Sequence, residues 1–288
     1  MKILIFPIVF VLSIFIACPG QAQLAVYDDF SGPFIDTALW RYNVPDWGDI
    51  WPYEGGFRIL KKKLSFFNRA YGAVLVDDGI QSMKRQLFLR DVSGVTGLEA
   101  SIQVVKNGHE ITGCSTENTE RSETRVWIGG SFFNDGSGAP NSGNYTGDIL
   151  VGIGLYKYSN SDDIPAGYMG VRSRVFQCLS ADCNPSARNT LNETFFPDKN
   201  GKPLLLKVGK KEKFRISYDK PTNTFTFQVG KKNIVSFECP VANLKASGAV
   251  NGGMRIEVTH DLANCHTAQT RSIGWADVLF DDVLVDEE

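Results

Sequence analysis

Alternation with a period of two runs through most of this chain. "TFTFQVG" (224–230) alternates Thr with Phe, while "KFRISYD" (213–219) and "GMRIEVTH" (253–260) alternate polar with apolar positions. Successive side chains of a strand point to opposite faces, so each segment predicts a half-buried β-strand. "DILVGIGLYKY" (148–158) is a longer run rich in β-branched and aromatic residues and predicts a longer strand. Turn-forming clusters separate these runs: "DKPTN" (219–223), "NDGSGAPNSGNYTGD" (134–148) and "PDKNGKP" (197–203). "KFRISYDKPTNTFTFQVGKKNIVSF" therefore predicts a three-stranded meander. No segment carries three turns of amphipathic helix, and "ANLKASG" (242–248) predicts one short helical turn at most. Many short strands with frequent turns predict an all-β fold, a two-sheet antiparallel β-sandwich. Neither a linker nor an internal repeat is visible.

The same alternation applied to "RSETRVW" (121–127) puts Arg121, Glu123, Arg125 and Trp127 on one face and Ser122, Thr124 and Val126 on the other. Guanidinium, carboxylate, guanidinium and indole in line suit a ligand that is anionic or sugar-like, because Arg pairs carboxylates and indole stacks on rings. A solvated strand whose charges pair with their neighbours is the plainer alternative.

The N-terminus departs from the strand pattern. Met1-Lys2 precedes "ILIFPIVFVLSIFIA", and "GQA" supplies small residues before Gln23. This is the three-part pattern of a signal peptide covering residues 1–22, leaving 23–288 as one domain in a secreted or periplasmic protein. "FIAC" (Phe15–Cys18) also resembles the lipobox of bacterial lipoproteins, which would put a lipid anchor on Cys18. No later segment has the roughly 20 consecutive apolar residues of a membrane-spanning helix. Net charge is −2 with 30 basic and 32 acidic residues, and no basic tail or stripe marks a nucleic-acid partner.

The cysteines fit an oxidising compartment. Cys178 and Cys183 bracket the short polar segment "CLSADC", which predicts a local disulfide. "HEITGC" and "HDLANCH" each place a His and an acid five and four residues before Cys114 and Cys265, and they contain all three His of the chain: His109, His260 and His266. A zinc site of Cys and His is one reading. A Cys114–Cys265 disulfide with exposed His beside it is the reading that the compartment favours, with no metal. Cys239, in "VSFECPV", is then a free buried thiol.

The two ends match each other. "VYDDFSGPFIDTALW" (26–40) and "IGWADVLFDDVLVDEE" (273–288) each carry an Asp-Asp pair after an aromatic residue. This opening and closing resemble bacterial members of the concanavalin A-like lectin/glucanase superfamily. The resemblance implies a jelly roll whose first and last strands pair, with "RVWIGGSFFNDG…TGDILVGIGL" as its central strand–loop–strand. Its glucanases carry Glu-x-Asp-x-x-Glu on one strand. Here the nearest acids are Glu117, Glu120 and Glu123, whose spacing by three alternates faces and argues against that chemistry. "RSETR" (121–125) resembles the Arg-rich strand of alginate lyases on the same scaffold, which implies a polysaccharide lyase acting on an acidic glycan as the alternative function. The Gln-x-His strand and the Tyr-rich C-terminal strand that such lyases add are missing from the sequence.

The expected function is therefore non-catalytic binding of a poly- or oligosaccharide, with Arg121, Glu123, Arg125 and Trp127 facing the ligand. A structural or adhesive surface module is a further alternative. Trp51 and Tyr53, in the aromatic loop "DWGDIWPYEGG" (46–56), are secondary ligand candidates, whereas Trp40 and Trp275 are expected in the core. Asp28, Asp29, Asp281 and Asp282 would converge if the terminal strands pair, which makes calcium the one candidate cofactor. Exposed acids guarding a sheet edge are the favoured account of them, with no cofactor.

Overall fold

The computed structural model describes residues 24–42, 53–75, 79–90, 94–114, 120–135, 137, 144–160, 163–183, 185–241, 253–266 and 271–287. In chain order the strands are β1 (Ala25–Asp28), β2 (Trp40–Tyr42), β3 (Tyr53–Ile59), β4 (Leu64–Tyr71), β5 (Ile80–Leu89), β6 (Val95–Ile111), β7 (Glu123–Asn134) and β8 (Asp148–Tyr158). They continue as β9 (Tyr168–Cys178), β10 (Arg188–Phe195), β11 (Leu205–Lys207), β12 (Glu212–Asp219), β13 (Thr224–Val229), β14 (Asn233–Glu238), β15 (Met254–Ala263) and β16 (Ile273–Glu287). A single 3₁₀ turn, Pro185–Ala187, is the helical content of the described residues.

Two antiparallel sheets result. The first runs β14-β13-β12-β6-β16-β4-β3 with β1 beside β16; the second runs β10-β9-β8-β7-β15-β5-β2 with β11 beside β9. The predicted meander is β12–β13–β14, and the predicted central pair is β7–β8. Ala25 lies opposite Val285, so the first and last strands pair as the resemblance implied. Alternation now has a physical partner. Phe214, Ile216, Phe225, Phe227 and Val229 from the first sheet meet Val126, Ile128, Phe132, Ile153 and Val175 from the second in one core. Burying each such side chain contributes about 1.5–3 kcal/mol. Trp40 belongs to this core, where its Nε1 donates to Asp28 Oδ2 at 2.7 Å.

Several expectations need correction. Trp275 lies on the outer face of β16, half-buried beneath the Arg69 guanidinium at 5.2 Å. The reason is register: Ala276, Val278 and Phe280 take the inward positions, so the odd-numbered residues before them point out. Residues 53–56 form the start of edge strand β3, paired with β4, rather than part of a loop. Residues 43–52, including Trp47 and Trp51, lie outside the described residues, as do the leader with Cys18 and the "ANLKASG" segment. The backbone of Tyr53 pairs with Ala70.

Both expected disulfides are present, Cys114–Cys265 and Cys178–Cys183, and Cys239 is free and buried. Among the described residues no three His, Cys, Asp or Glu side chains come together as a metal site. Asp28 accepts from Phe30 N and Trp40 Nε1, while Asp281 and Asp282 both pair with Lys211.

The expected exposed histidine beside the long-range disulfide is instead buried. His260 has no exposed surface and bridges the sheets, contacting Thr124 Oγ1 on β7 through Nδ1 at 2.9 Å and the Asn68 carbonyl on β4 through Nε2 at 3.1 Å. A carbonyl only accepts, so Nε2 carries the proton and Nδ1 accepts from the Thr124 hydroxyl. Gly274 makes the room, since a Cβ there would sit 2.7 Å from the ring. Burial pushes the His260 pKa down to about 4, against a smaller upward pull from the Asn68 hydrogen bond. The unfolded chain binds this proton near pH 6.5 and the folded chain does not, so stability falls as pH drops from about 6.5 towards 4. The loss approaches about 3 kcal/mol. Urea midpoints at neutral and mildly acidic pH will show it, and His260→Gln will flatten that part of the profile. An unchanged slope in the variant would assign the proton uptake elsewhere.

Candidate functional site

The outer face of the second sheet is assembled by register. On β7, Glu123, Arg125 and Trp127 point away from the core while Val126 and Ile128 point into it. Their neighbours on β8 are Tyr158, Tyr156 and Gly154, and on β15 they are Asp261, Thr259 and Glu257. One strand further out, Arg172 and Arg174 of β9 lie opposite Gly154 and Gly152, and Gln86 and Lys84 of β5 lie opposite Glu257 and Thr259. Arg121 precedes β7 instead of belonging to it; it is exposed, with its guanidinium 5.8 Å from the Tyr158 ring.

Over Glu123 to Trp127 this face is a packed layer. Arg172 is fully buried, ion-paired with Glu123 and with Glu193 Oε1 at 3.0 Å. Its guanidinium lies 4.7 Å from the Tyr156 ring and 5.7 Å from the Trp127 ring, and it donates to Tyr158 Oη at 2.6 Å. β8 leaves space for the Trp127 indole because Gly152 carries no side chain. A Cβ on Gly152 would meet the Trp127 ring at 2.4 Å. Glu123 also accepts from Arg125 at 3.0 Å, and Arg125 reaches Asp261 at 2.7 Å. Burial opposes the charge on Arg125, but Asp261 and Glu123 outweigh it and raise its pKa. Burial likewise drives Tyr156 up to about 12, against the pull of Arg172.

Next to this layer the surface opens into a pocket of about 80 Å³. Trp127 and Leu150 supply an apolar wall, and Gly129, Gly130 and Gly152 leave part of it as bare backbone. Gly129 and Gly130 have φ of +148° and +141°, and a Cβ on either would strike neighbouring backbone at 2.1–2.2 Å. The polar wall holds Lys84, Arg125, Arg174, Arg188 and Arg255 against Glu257 as its one carboxylate. Glu257 accepts from Arg255 Nε at 2.6 Å and Gln86 Nε2 at 2.8 Å. Burial would raise its pKa, but Arg255 and these hydrogen bonds hold it near 2. Trp127 is 7% exposed, and its indole Nε1 has no hydrogen-bond partner among the described residues.

Of the four residues expected to face a ligand, Arg125 and Trp127 line the pocket while Arg121 and Glu123 do not, and Lys84, Arg174, Arg188, Arg255 and Glu257 line it without having been singled out from sequence. The signal that found β7 was present elsewhere. "VRSRV" places Arg172 and Arg174 on one face, and "MRIEVTHD" places Arg255, Glu257, Thr259 and Asp261 on one face.

No protein-family model and no curated protein matches the chain. Among solved structures it is similar to the carbohydrate recognition domain of Emp47p, with 14% identity over 90% of this chain and 97% of that one and a TM-score of 0.38. Similar too are LamAcat from Zobellia galactanivorans, 11% identical over 91% and 96% with a TM-score of 0.43, and the alginate lyase from Klebsiella pneumoniae, 9% identical over 81% and 84% with a TM-score of 0.39. The fold is a two-sheet antiparallel β-sandwich. Its strand order and the pairing of β1 with β16 carry that statement. At such low identity, chemistry has to be argued from this chain's own residues.

Proposed function

We propose that this is a secreted or periplasmic carbohydrate-associated protein that binds a saccharide on the outer face of its second sheet, beside Trp127, without transforming it. The observation that carries this reading is the pocket itself. One apolar indole wall faces several fixed hydrogen-bonding side chains, the combination that sugar rings and their hydroxyls require. Two disulfides favour an oxidising compartment. The acid–base inventory supports binding over catalysis. Glu123, Asp261 and Glu257 are each committed to arginine, and Tyr156 is held protonated far above neutral pH. A general acid or base works best with a pKa near the operating pH.

The test is a glycan array followed by titration calorimetry on positive hits, with parallel assays for reducing ends and for the ultraviolet absorbance of unsaturated uronate products. Binding without product release is expected, with affinity falling about tenfold or more in Trp127→Phe. Turnover of any polysaccharide, or binding indifferent to Trp127, would overturn the reading.

A further inference from the structure

We infer that the saccharide carries an anionic substituent, a carboxylate or a sulfate, and that Lys84, Arg188 and Arg255 form the subsite that holds it. This rests on the reading of the pocket as a saccharide site and adds the class of sugar to it.

The first ground is an uneven charge balance. Arg125 is matched by Glu123 and Asp261, Arg174 by Glu193 at 2.8 Å, and Arg255 by Glu257. Lys84 and Arg188 line the same pocket, yet among the described residues neither has a carboxylate within ion-pair distance. Both are partly buried. Burial is the main cause that lowers the pKa of each; Glu257 offsets part of it on Lys84, where Arg255 and Arg188 add to it, and on Arg188 the repulsion of Arg125 and Arg255 exceeds the pull of Asp261 and Glu257. Cations gathered in a half-buried pocket repel one another, and a bound anion removes that cost.

The second ground is that one of these unmatched cations is held in place. Arg188 Nε donates to the Cys183 carbonyl at 2.7 Å, and its guanidinium lies 4.9 Å from the Phe176 ring. The Cys178–Cys183 disulfide closes the loop that presents this carbonyl, so the guanidinium is oriented before any ligand arrives. Preorganised guanidinium is the side chain best suited to carboxylate and sulfate oxygens.

Size is the third ground. A water needs roughly 10–15 Å³ of such space, so about 80 Å³ takes roughly six non-hydrogen atoms. That fits a carboxylate or sulfate group and is too small for a whole pyranose ring, which would lie across the mouth beside Trp127.

The experiment is titration of the protein with oligouronates and their carboxyl-reduced neutral counterparts, and with sulfated oligosaccharides and their desulfated counterparts. One charged series is expected to bind at least about tenfold more tightly than its neutral partner, and which series does so separates carboxylate from sulfate. That preference should weaken with added salt and disappear in Lys84→Met/Arg188→Met, while Arg188→Lys retains part of it. Thermal melts of both variants check that the sandwich is intact, and Lys84→Gln alone serves if the double variant does not fold. Equal binding of charged and neutral partners would overturn the anionic subsite and leave the saccharide site standing. A preference that survives both variant sets would place the anion elsewhere and also overturn it. Binding of no member of any series would remove the two readings together.

Discussion

Replacing Arg172 by methionine will lower the thermal unfolding midpoint by on the order of 10 °C. The arginine is fully buried and neutralises Glu123, itself only 6% exposed, together with Glu193. Breaking a buried ion pair costs about 3–5 kcal/mol, and here the lower end applies because Glu123 keeps Arg125 and Glu193 keeps Arg174. In a domain of this size each kcal/mol moves the midpoint by about 2–4 °C. Because the loss comes from a buried carboxylate that has lost one of its two guanidinium partners, Arg172→Met/Glu123→Gln should recover part of it, and a double-mutant cycle measures how much. A melt within about 2 °C of the parent, or a double variant no better than the single, would show that the network contributes little.

Cys114→Ala/Cys265→Ala will be at least twice as destabilising as Cys178→Ala/Cys183→Ala. The first bridge joins residues 151 apart in sequence and the second residues five apart. By the loss of chain entropy in the unfolded state, the long closure is worth roughly 5 kcal/mol and the short one roughly 2 kcal/mol. Cys265 and Cys178 are equally buried, so the packing lost at each is comparable and the difference reports loop length. Urea midpoints of the two double variants decide it. Equal shifts would mean that the unfolded chain is already constrained near the long bridge. The short bridge should instead reveal itself in binding, through the carbonyl that orients Arg188.

The fold was legible because its signals are local. Phe225, Phe227 and Val229 announce a one-sided strand without knowledge of what covers them, whereas β1 beside β16 was implied only by the resemblance that the two ends carry. Period two also placed Glu123, Arg125 and Trp127 on one face. What they do there was not legible. The fate of Arg125 depends on Asp261, which is brought beside it by the β7–β15 register and lies 136 positions along the chain. Arg172 reads locally as a solvated strand residue, and its burial depends on the rings of Trp127, Tyr156, Tyr158 and Phe195 that other strands bring around it. Arg188 stands at the start of an edge strand, where sequence offers no period to read, and Trp275 shows the converse, a large indole that register turns outward. Pairings between distant strands decide each of these cases, and such pairings leave no mark within a short window of sequence.

The side-by-side course of β1 and β16 has a bearing on how the molecule would be presented to its surroundings. Both lie in the first sheet, whereas the Lys84–Arg188 pocket opens from the far side of the second. Ala25 and Val285 lie opposite each other in the first sheet, so both described ends of the sandwich belong to the layer that faces away from the pocket.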